Sequence, residues 1–219
     1  FKMDNMLISN NAAGWMNIRF AKTSTVSILN SVISNNTAGD VPGVYIDDDC
    51  DIKMVNVEIS NNISDTGCSA LKVTNSSLDL KNVSIVGNTG FESLCYSSST
   101  ISMENSISWN NIPNGDNGCE IMMWSDDVDL DISYSNVQGL SSVSNSICCV
   151  DIYVDDCSNY ESYIGTNNIN NDPLFINPEN NNYSLGSGSP CINTGNPNPW
   201  YKDIDGTNND MGSTGGPFI

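Results

Sequence analysis

Aspartate is the side chain with which this 219-residue protein could do chemistry, and it comes in short clusters. Asp47, Asp48, Asp49 and Asp51 form one, Asp126, Asp127, Asp129 and Asp131 a second, and Asp151, Asp155 and Asp156 a third. Near the C-terminus Asp203-x-Asp205-Gly206 runs on to Asp210. Two chemistries use carboxylates placed like this. A hard cation such as calcium takes several oxygen ligands, which closely spaced Asp side chains and turn carbonyls supply. The alternation at Asp203, Asp205 and Asp210 resembles a calcium loop without the terminal Glu of an EF-hand, and Asp47 and Asp49 offer a second set. Asp also favours turns with no metal present, because its side chain bonds to nearby backbone. Alternatively, two carboxyl groups across a glycosidic bond can hydrolyse it, one protonated and one ionised.

Other mechanisms are constrained by what the chain contains. β-Elimination needs a base beside a cation that acidifies the proton next to a uronate carboxylate. Lys53, Lys72 and Lys81 follow the first Asp cluster, although strand-edge lysines are ordinarily solvated. With no histidine anywhere, His-based triads are excluded. Aromatic residues remain for stacking on sugar rings. Trp109 and Trp124 are the candidates, and Trp124 beside Asp126 and Asp127 is the preferred glycan contact, set against the half-buried packing that occupies most tryptophans.

A repeat shows which elements would hold these residues. The pattern Asn-x-x-Ile-x-Asn-Asn returns at 5–11, 30–36, 56–62, 82–88 and 105–111, so the leading asparagines lie 25, 26, 26 and 23 residues apart. Periods in this range mark solenoids. Apolar residues two apart precede the copies, as in Val26/Ile28, Ile52/Met54, Leu78/Leu80 and Ile101/Met103, with Leu130/Ile132 in a degenerate sixth. A period of two means strands. A second short strand is predicted in each repeat at Trp15–Ile18, Val44–Ile46, Leu71–Val73, Leu94–Tyr96, Ile121–Met123 and Val150–Val154. A coil of this length cannot bury its own apolar side and needs neighbours above and below. The expectation is an all-β parallel solenoid of about six coils of 23–29 residues over 1–168, closed by a C-terminal capping module over 169–219. Ile33, Ile59 and Ile85 should stack inside, and Asn30, Asn56, Asn82 and Asn105 should form an amide ladder at one corner.

The C-terminal third carries a resemblance. Tyr134-Ser-Asn-Val-Gln-Gly139, Asn171-Asp-Pro-Leu-Phe175, Asn182-Tyr-Ser-Leu-Gly186, Gly188-Ser-Pro-Cys-Ile-Asn-Thr-Gly195, Asp203-Ile-Asp-Gly206, Asp210-Met-Gly212 and Gly215-Gly-Pro217 follow one another in order. With the repeats before them they resemble the right-handed parallel β-helix domains of the pectin-lyase-like superfamily, in the form found on secreted bacterial surface proteins. The resemblance implies a secreted or surface location, a structural or adhesive role, and a sorting or anchoring region past Ile219. Such domains usually carry Ala where this chain has Cys191, which hints at a local disulfide. Lyases and hydrolases share the superfamily, but the Gly-His-Gly and Arg-Ile-Lys motifs of its pectinases are missing here.

Composition narrows the partners. The net charge is −19, from 26 acidic and 7 basic residues, and the basic ones are scattered, which argues against nucleic acid. Cations are more credible partners, and a saline habitat would select the same surface. Eight cysteines in so polar a chain point to an oxidising, extracellular setting, while the lack of CxxC spacing and of His speaks against zinc. Coil register suggests Cys119 with Cys148, and Cys149 with Cys157 and Cys50 with Cys68 are short-loop pairs; some cysteines are expected as buried thiols. No apolar run is long enough to span a membrane. Phe1 begins within a repeat strand with no initiator Met or signal-like stretch, so a longer parent protein is expected. The sequence therefore reads as a surface β-helix that binds polysaccharide or self-assembles along its uncapped edge, possible calcium sites included. The competing reading is a polysaccharide-cleaving enzyme, either a calcium-dependent lyase or an Asp-based glycoside hydrolase.

Overall fold

Strands form where the sequence alternates, and each strand pairs in parallel with its counterpart one coil away. The computed structural model describes residues 1–113, 120–125, 129–140, 147–149 and 165–217 and is a β-solenoid of about five turns. Its longest sheet stacks Lys2–Asp4, Thr25–Ser34, Asp51–Ser60, Ser77–Val86, Thr100–Glu104 and Asp129–Ser133. A second stacks Met16–Phe20, Val41–Ile46, Leu71–Thr74, Leu94–Ser97, Ile121–Met123 and Ile147–Cys149. A third, of two-residue strands from Ala12–Ala13 to Ile112–Pro113, closes the cross-section. Among the described residues the helices are two single 3₁₀ turns, and none is long and apolar enough to cross a membrane.

Residues at one register stack in files. Val26, Ile52, Leu78, Ile101 and Leu130 make one interior file, and Ile28, Met54, Leu80, Met103 and Ile132 the next. All ten are buried, each contributing about 2 kcal/mol of transfer free energy. Ile33, Ile59 and Ile85 form the third file as expected, and Ser108 continues it. The interior thus turns polar at Ser108, and the buried Glu120 accepts its hydroxyl at 2.7 Å.

The three asparagines of the repeat divide the work. The leading one and the first of the closing pair both occupy the left-handed region, with φ of 54° at Asn56 and 52° at Asn61, a conformation Asn tolerates better than other chiral residues. Gly87 replaces that second turn asparagine at φ 65°, where a Cβ would stand 2.6 Å from Asn61 Oδ1. The last asparagine points inward. Asn11, Asn36, Asn62, Asn88 and Asn111 form a continuous ladder, each Nδ2 donating to the Oδ1 of the next at 2.9 to 3.0 Å. Each Oδ1 also accepts the backbone N–H of the preceding asparagine, and each Nδ2 from Asn36 onward donates to an Ile carbonyl one coil back. The ladder ends on Glu120, which accepts from Asn111 Nδ2 at 2.7 Å.

The expected ladder is therefore corrected in its residues. Asn30, Asn56, Asn82 and Asn105 do stack in register, but only Asn56 donates to its neighbour, at 3.3 Å to Asn30 Oδ1. Asn82 and Asn105 turn to the C-terminal segment instead. Asn82 Nδ2 donates to Asn209 Oδ1 and the Asp210 carbonyl, and Asn105 Oδ1 accepts from Asn196 N–H. Corner asparagines can turn to the C-terminal segment, whereas the inward ones bond along the stack.

Residues 165–171 cover the edge of the last coil, with Ile169 bridged to Asn136 and Asn168 accepting from Ser135 N–H. The chain then folds back along the flank of the long sheet. Tyr183, Cys191 and Met211 bury themselves with Val86 and Ile107 in a second small core. Asn61 donates to Asn181 Oδ1, and Ser213 N–H donates to Ser84 Oγ. The module therefore both ends the stack and straps its side.

Asn62→Ala should lower the free energy of unfolding by about 3 kcal/mol or more, because Asn36 N–H and the Ile33 carbonyl would be left buried without partners. Asn56→Gly, at the corner first expected to carry the ladder, should stay within about 1 kcal/mol of wild type because Gly adopts positive φ freely. Denaturant titration of both variants checks the assignment.

Candidate functional site

On the second sheet one register position of each strand points away from the main core. Arg19, Tyr45, Lys72, Cys95 and Met122 occupy this position in successive coils. The Arg19 guanidinium carbon lies 5.6 Å from the Tyr45 ring centroid and Lys72 Nζ 5.4 Å from it. Lys72 Nζ is also 5.2 Å from the Trp124 ring, so cations and aromatic rings alternate along the solenoid axis. Each cation is held by a carboxylate. Arg19 forms a two-point contact with the largely buried Asp47, and Lys72 Nζ sits 2.9 Å from Asp40 Oδ2. Asp40 also accepts from Trp15 Nε1 at 3.0 Å. Trp15 is 66% exposed, and with Arg19, Tyr45 and Asp47 it lines an open cleft of about 430 Å³.

This arrangement offers aromatic faces, fixed donors and fixed acceptors with little net charge. The ion pairs hold the side chains in place along the face. Both carboxylates are committed to cations and hydrogen bonds.

Beyond Lys72 the file becomes buried. Cys95 is bonded to Cys68 one coil away, with Cα atoms 6.0 Å apart, and Met122 packs with both sulfurs beneath Trp124. The expected Cys50–Cys68 pair is thereby corrected. Cys50 is a buried free thiol whose Sγ donates to the Asp47 carbonyl, while Cys68 lies in a separate buried cluster with Cys95. Cys191 is also a free buried thiol, accepting from Asn136 Nδ2 at 3.1 Å, so no local disulfide forms there. Ile147–Cys149 stacks on Ile121–Met123 with Cys148 in register with Met122, and the strand expected at Val150–Val154 lies outside the described residues. Cys119, Cys157, Asp126 and Asp127 lie outside the described residues.

The other expected site residues are dispersed. Trp109 does leave the outer face of the solenoid, but it lies half-buried under the C-terminal module, lining a separate cleft of about 340 Å³ with Phe175 and Tyr183. Asp203 accepts the N–H groups of Asp210 and Gly216, Asp205 accepts from Thr207, and Asp210 accepts from Asn193 N–H. These three carboxylates act as turn acceptors binding the module together. Asp47 is taken by Arg19, and Asp49 stands at φ 61° on a different, open face with Asp51 and Asp129. The sequence reading passed over Trp15, Arg19, Asp40 and Tyr45. For Tyr45 the signal was present in the middle residue of a predicted second strand, in register with Lys72; Trp15, Arg19 and Asp40 carried no such signal.

The face ends at a buried acid. Glu92 follows the outward turn before the Cys95 strand, and burial pushes its carboxyl up to about 7. Glu120, one coil on, is raised in the same direction by burial, against hydrogen bonds from Ser108, Asn111 and Ser93.

Comparison with protein-family models matches none of them, and comparisons with curated proteins and with solved structures find no match either.

The Glu92 shift carries a pH dependence. A carboxyl whose folded value lies above its unfolded one stabilises the fold at low pH, and that contribution is lost as pH rises from the unfolded value toward 7. Unfolding free energy should fall by about 3 kcal/mol between pH 4.5 and pH 7 on account of Glu92 alone. In Glu92→Gln this component should vanish, leaving a flatter profile from chemical denaturation across that range.

Proposed function

We propose that this protein is an extracellular β-solenoid of structural and adhesive function that binds a glycan along its second sheet. The observation that carries the reading is the axial column of Arg19, Tyr45, Lys72 and Trp124 beside the exposed Trp15. Sugar rings pack their apolar faces on aromatic side chains while their hydroxyls take up fixed donors and acceptors. Coils repeat at about 4.8 Å along the axis, so an extended chain laid on this face meets a regular series of contacts. The ordered C-terminal motifs resemble those of surface β-helix domains of the pectin-lyase-like superfamily, and the Cys68–Cys95 disulfide suits an oxidising compartment. Both support the location.

Among the residues of this face, Lys72 is paired with Asp40 and Arg19 with Asp47, which leaves no free base and no uncommitted carboxylate pair for cleavage. That pairing favours binding over cleavage on this face.

A panel of neutral and acidic polysaccharides, screened by tryptophan fluorescence and by affinity electrophoresis, should give at least one ligand with wild-type protein. Trp15→Ala and Tyr45→Ala should each weaken it about tenfold, in line with the loss of one stacked aromatic. Trp200→Ala, at an exposed tryptophan on the C-terminal module, should leave affinity unchanged. Release of reducing ends or unsaturated products from any of the polysaccharides would replace this reading with an enzymatic one.

A further inference from the structure

The buried end of the outward file holds a set of ligands that the spacing of the sequence concealed. Cys68, Glu92 and Cys95 bring two sulfurs and a carboxylate oxygen within 4.8 Å of one another, and all three residues are buried. Among the described residues this is the one group of three such side chains so close together. Cys95 and Glu92 come from one coil, three residues apart, and Cys68 from the coil beside it. Sequence spacing argued against a soft-metal site because it lacked CxxC and His. Stacking supplies across coils what no local motif encodes.

Glu92 is the feature that the disulfide leaves unexplained. It is 7% exposed, and the only polar contact of its carboxyl among the described residues is Cys95 Sγ at 3.6 Å. A disulfide sulfur has no proton to donate, so the oxidised pair gives this group no hydrogen bond. Burial makes an ionised carboxylate costly, and carboxylates in such places ordinarily meet a cation or a donor. Met122, in the same buried cluster, carries a thioether.

We infer that Cys68, Cys95 and Glu92 form a binding site for one zinc-class divalent cation that the disulfide masks and reduction exposes. A dithiol reductant breaks the Cys68–Cys95 S–S bond, giving up two electrons and two protons and becoming a disulfide itself. The two resulting thiols then lose their protons as the cation binds, and the carboxylate of Glu92 takes the third position. Met122 or a water completes a four-coordinate shell. Two thiolates with a thioether suit zinc and its softer congeners better than calcium or magnesium. Cα atoms 6.0 Å apart accommodate the disulfide, and Zn–S bonds of about 2.3 Å need the sulfurs to separate by only a small side-chain movement.

The test uses the full chain, with Cd2+ as the probe, because its bond to thiolate gives an ultraviolet charge-transfer band. After reduction with a phosphine and removal of the reductant, wild-type protein should take up one Cd2+ at this site. The oxidised protein should show no band. Glu92→Gln keeps both sulfurs and the side-chain volume, and should bind at least tenfold more weakly. Cys95→Ser should lose the band, with circular dichroism confirming that the solenoid persists. Equal affinity in Glu92→Gln, or a band that survives in Cys95→Ser, would place the metal on other cysteines and overturn the assignment. Failure of the reduced wild-type protein to bind Cd2+ would do the same.

Discussion

The structure depends on the closing of a buried amide hydrogen bond between neighbouring coils at one fixed position. A β-solenoid has no globular centre to pin its register; sliding one coil by a residue would put every inward side chain outside. Apolar files resist this only loosely, because Val, Ile, Leu and Met substitute for one another. The inward asparagines do not. Each must find the Oδ1 above, an Ile carbonyl and the N–H below, and one slipped residue leaves all of them unpaired in a dry interior. The ladder is therefore what makes the repeat period strict across Asn36, Asn62 and Asn88. Where the ladder stops at Asn111, the interior also loses its Ile file, and Glu120 accepts from both Ser108 and Asn111. The polar interior continues for one coil because a single carboxyl group serves two neighbours.

Coil register also builds the outer face. Arg19, Tyr45 and Lys72 are far apart in the chain and unremarkable singly. Stacking places them one coil apart in a column, where the Tyr45 ring meets a cation on either side. The same operation, carried two coils further, places Cys95 and Met122 over one another and brings Cys68 beside them. Surface chemistry here comes from vertical neighbours and follows the stacking period.

Much of this was legible in the sequence, and the failures share a cause. The alternation at Val26/Ile28 and its counterparts, together with the constant spacing, gave the sheets, the interior files and the solenoid, because backbone pairing and burial act on every coil alike. Asparagine was misread at a finer level. All three asparagines of the motif suit turns, and the pattern alone does not say which of them points inward; that depends on the exact turn geometry after Ile33 or Ile59. The Cys50–Cys68 pairing failed for the same reason, since Cys50 belongs to the main core and Cys68 to a separate buried cluster with Cys95 and Met122. The Asp clusters drew attention by number, whereas the N–H groups that Asp203, Asp205 and Asp210 accept depend on the folding of the C-terminal module. Trp15 was passed over because its value lies in a neighbour, Asp40, that arrives only with the next coil.

The returning C-terminal segment gives the molecule a property that bare solenoids lack. In a plain stack each coil touches only the next, so ends can fray while the middle holds. Here Asn82 meets Asn209, 127 residues away, and Asn61 meets Asn181 across 120. Those contacts bracket several coils at once and tie their fates together, so melting one requires detaching the strap from all. Because the strap is synthesised after the coils it packs on, those coils must stand by themselves until it docks. Its docking is then a late locking step whose high sequence separation makes it slow relative to coil-on-coil growth.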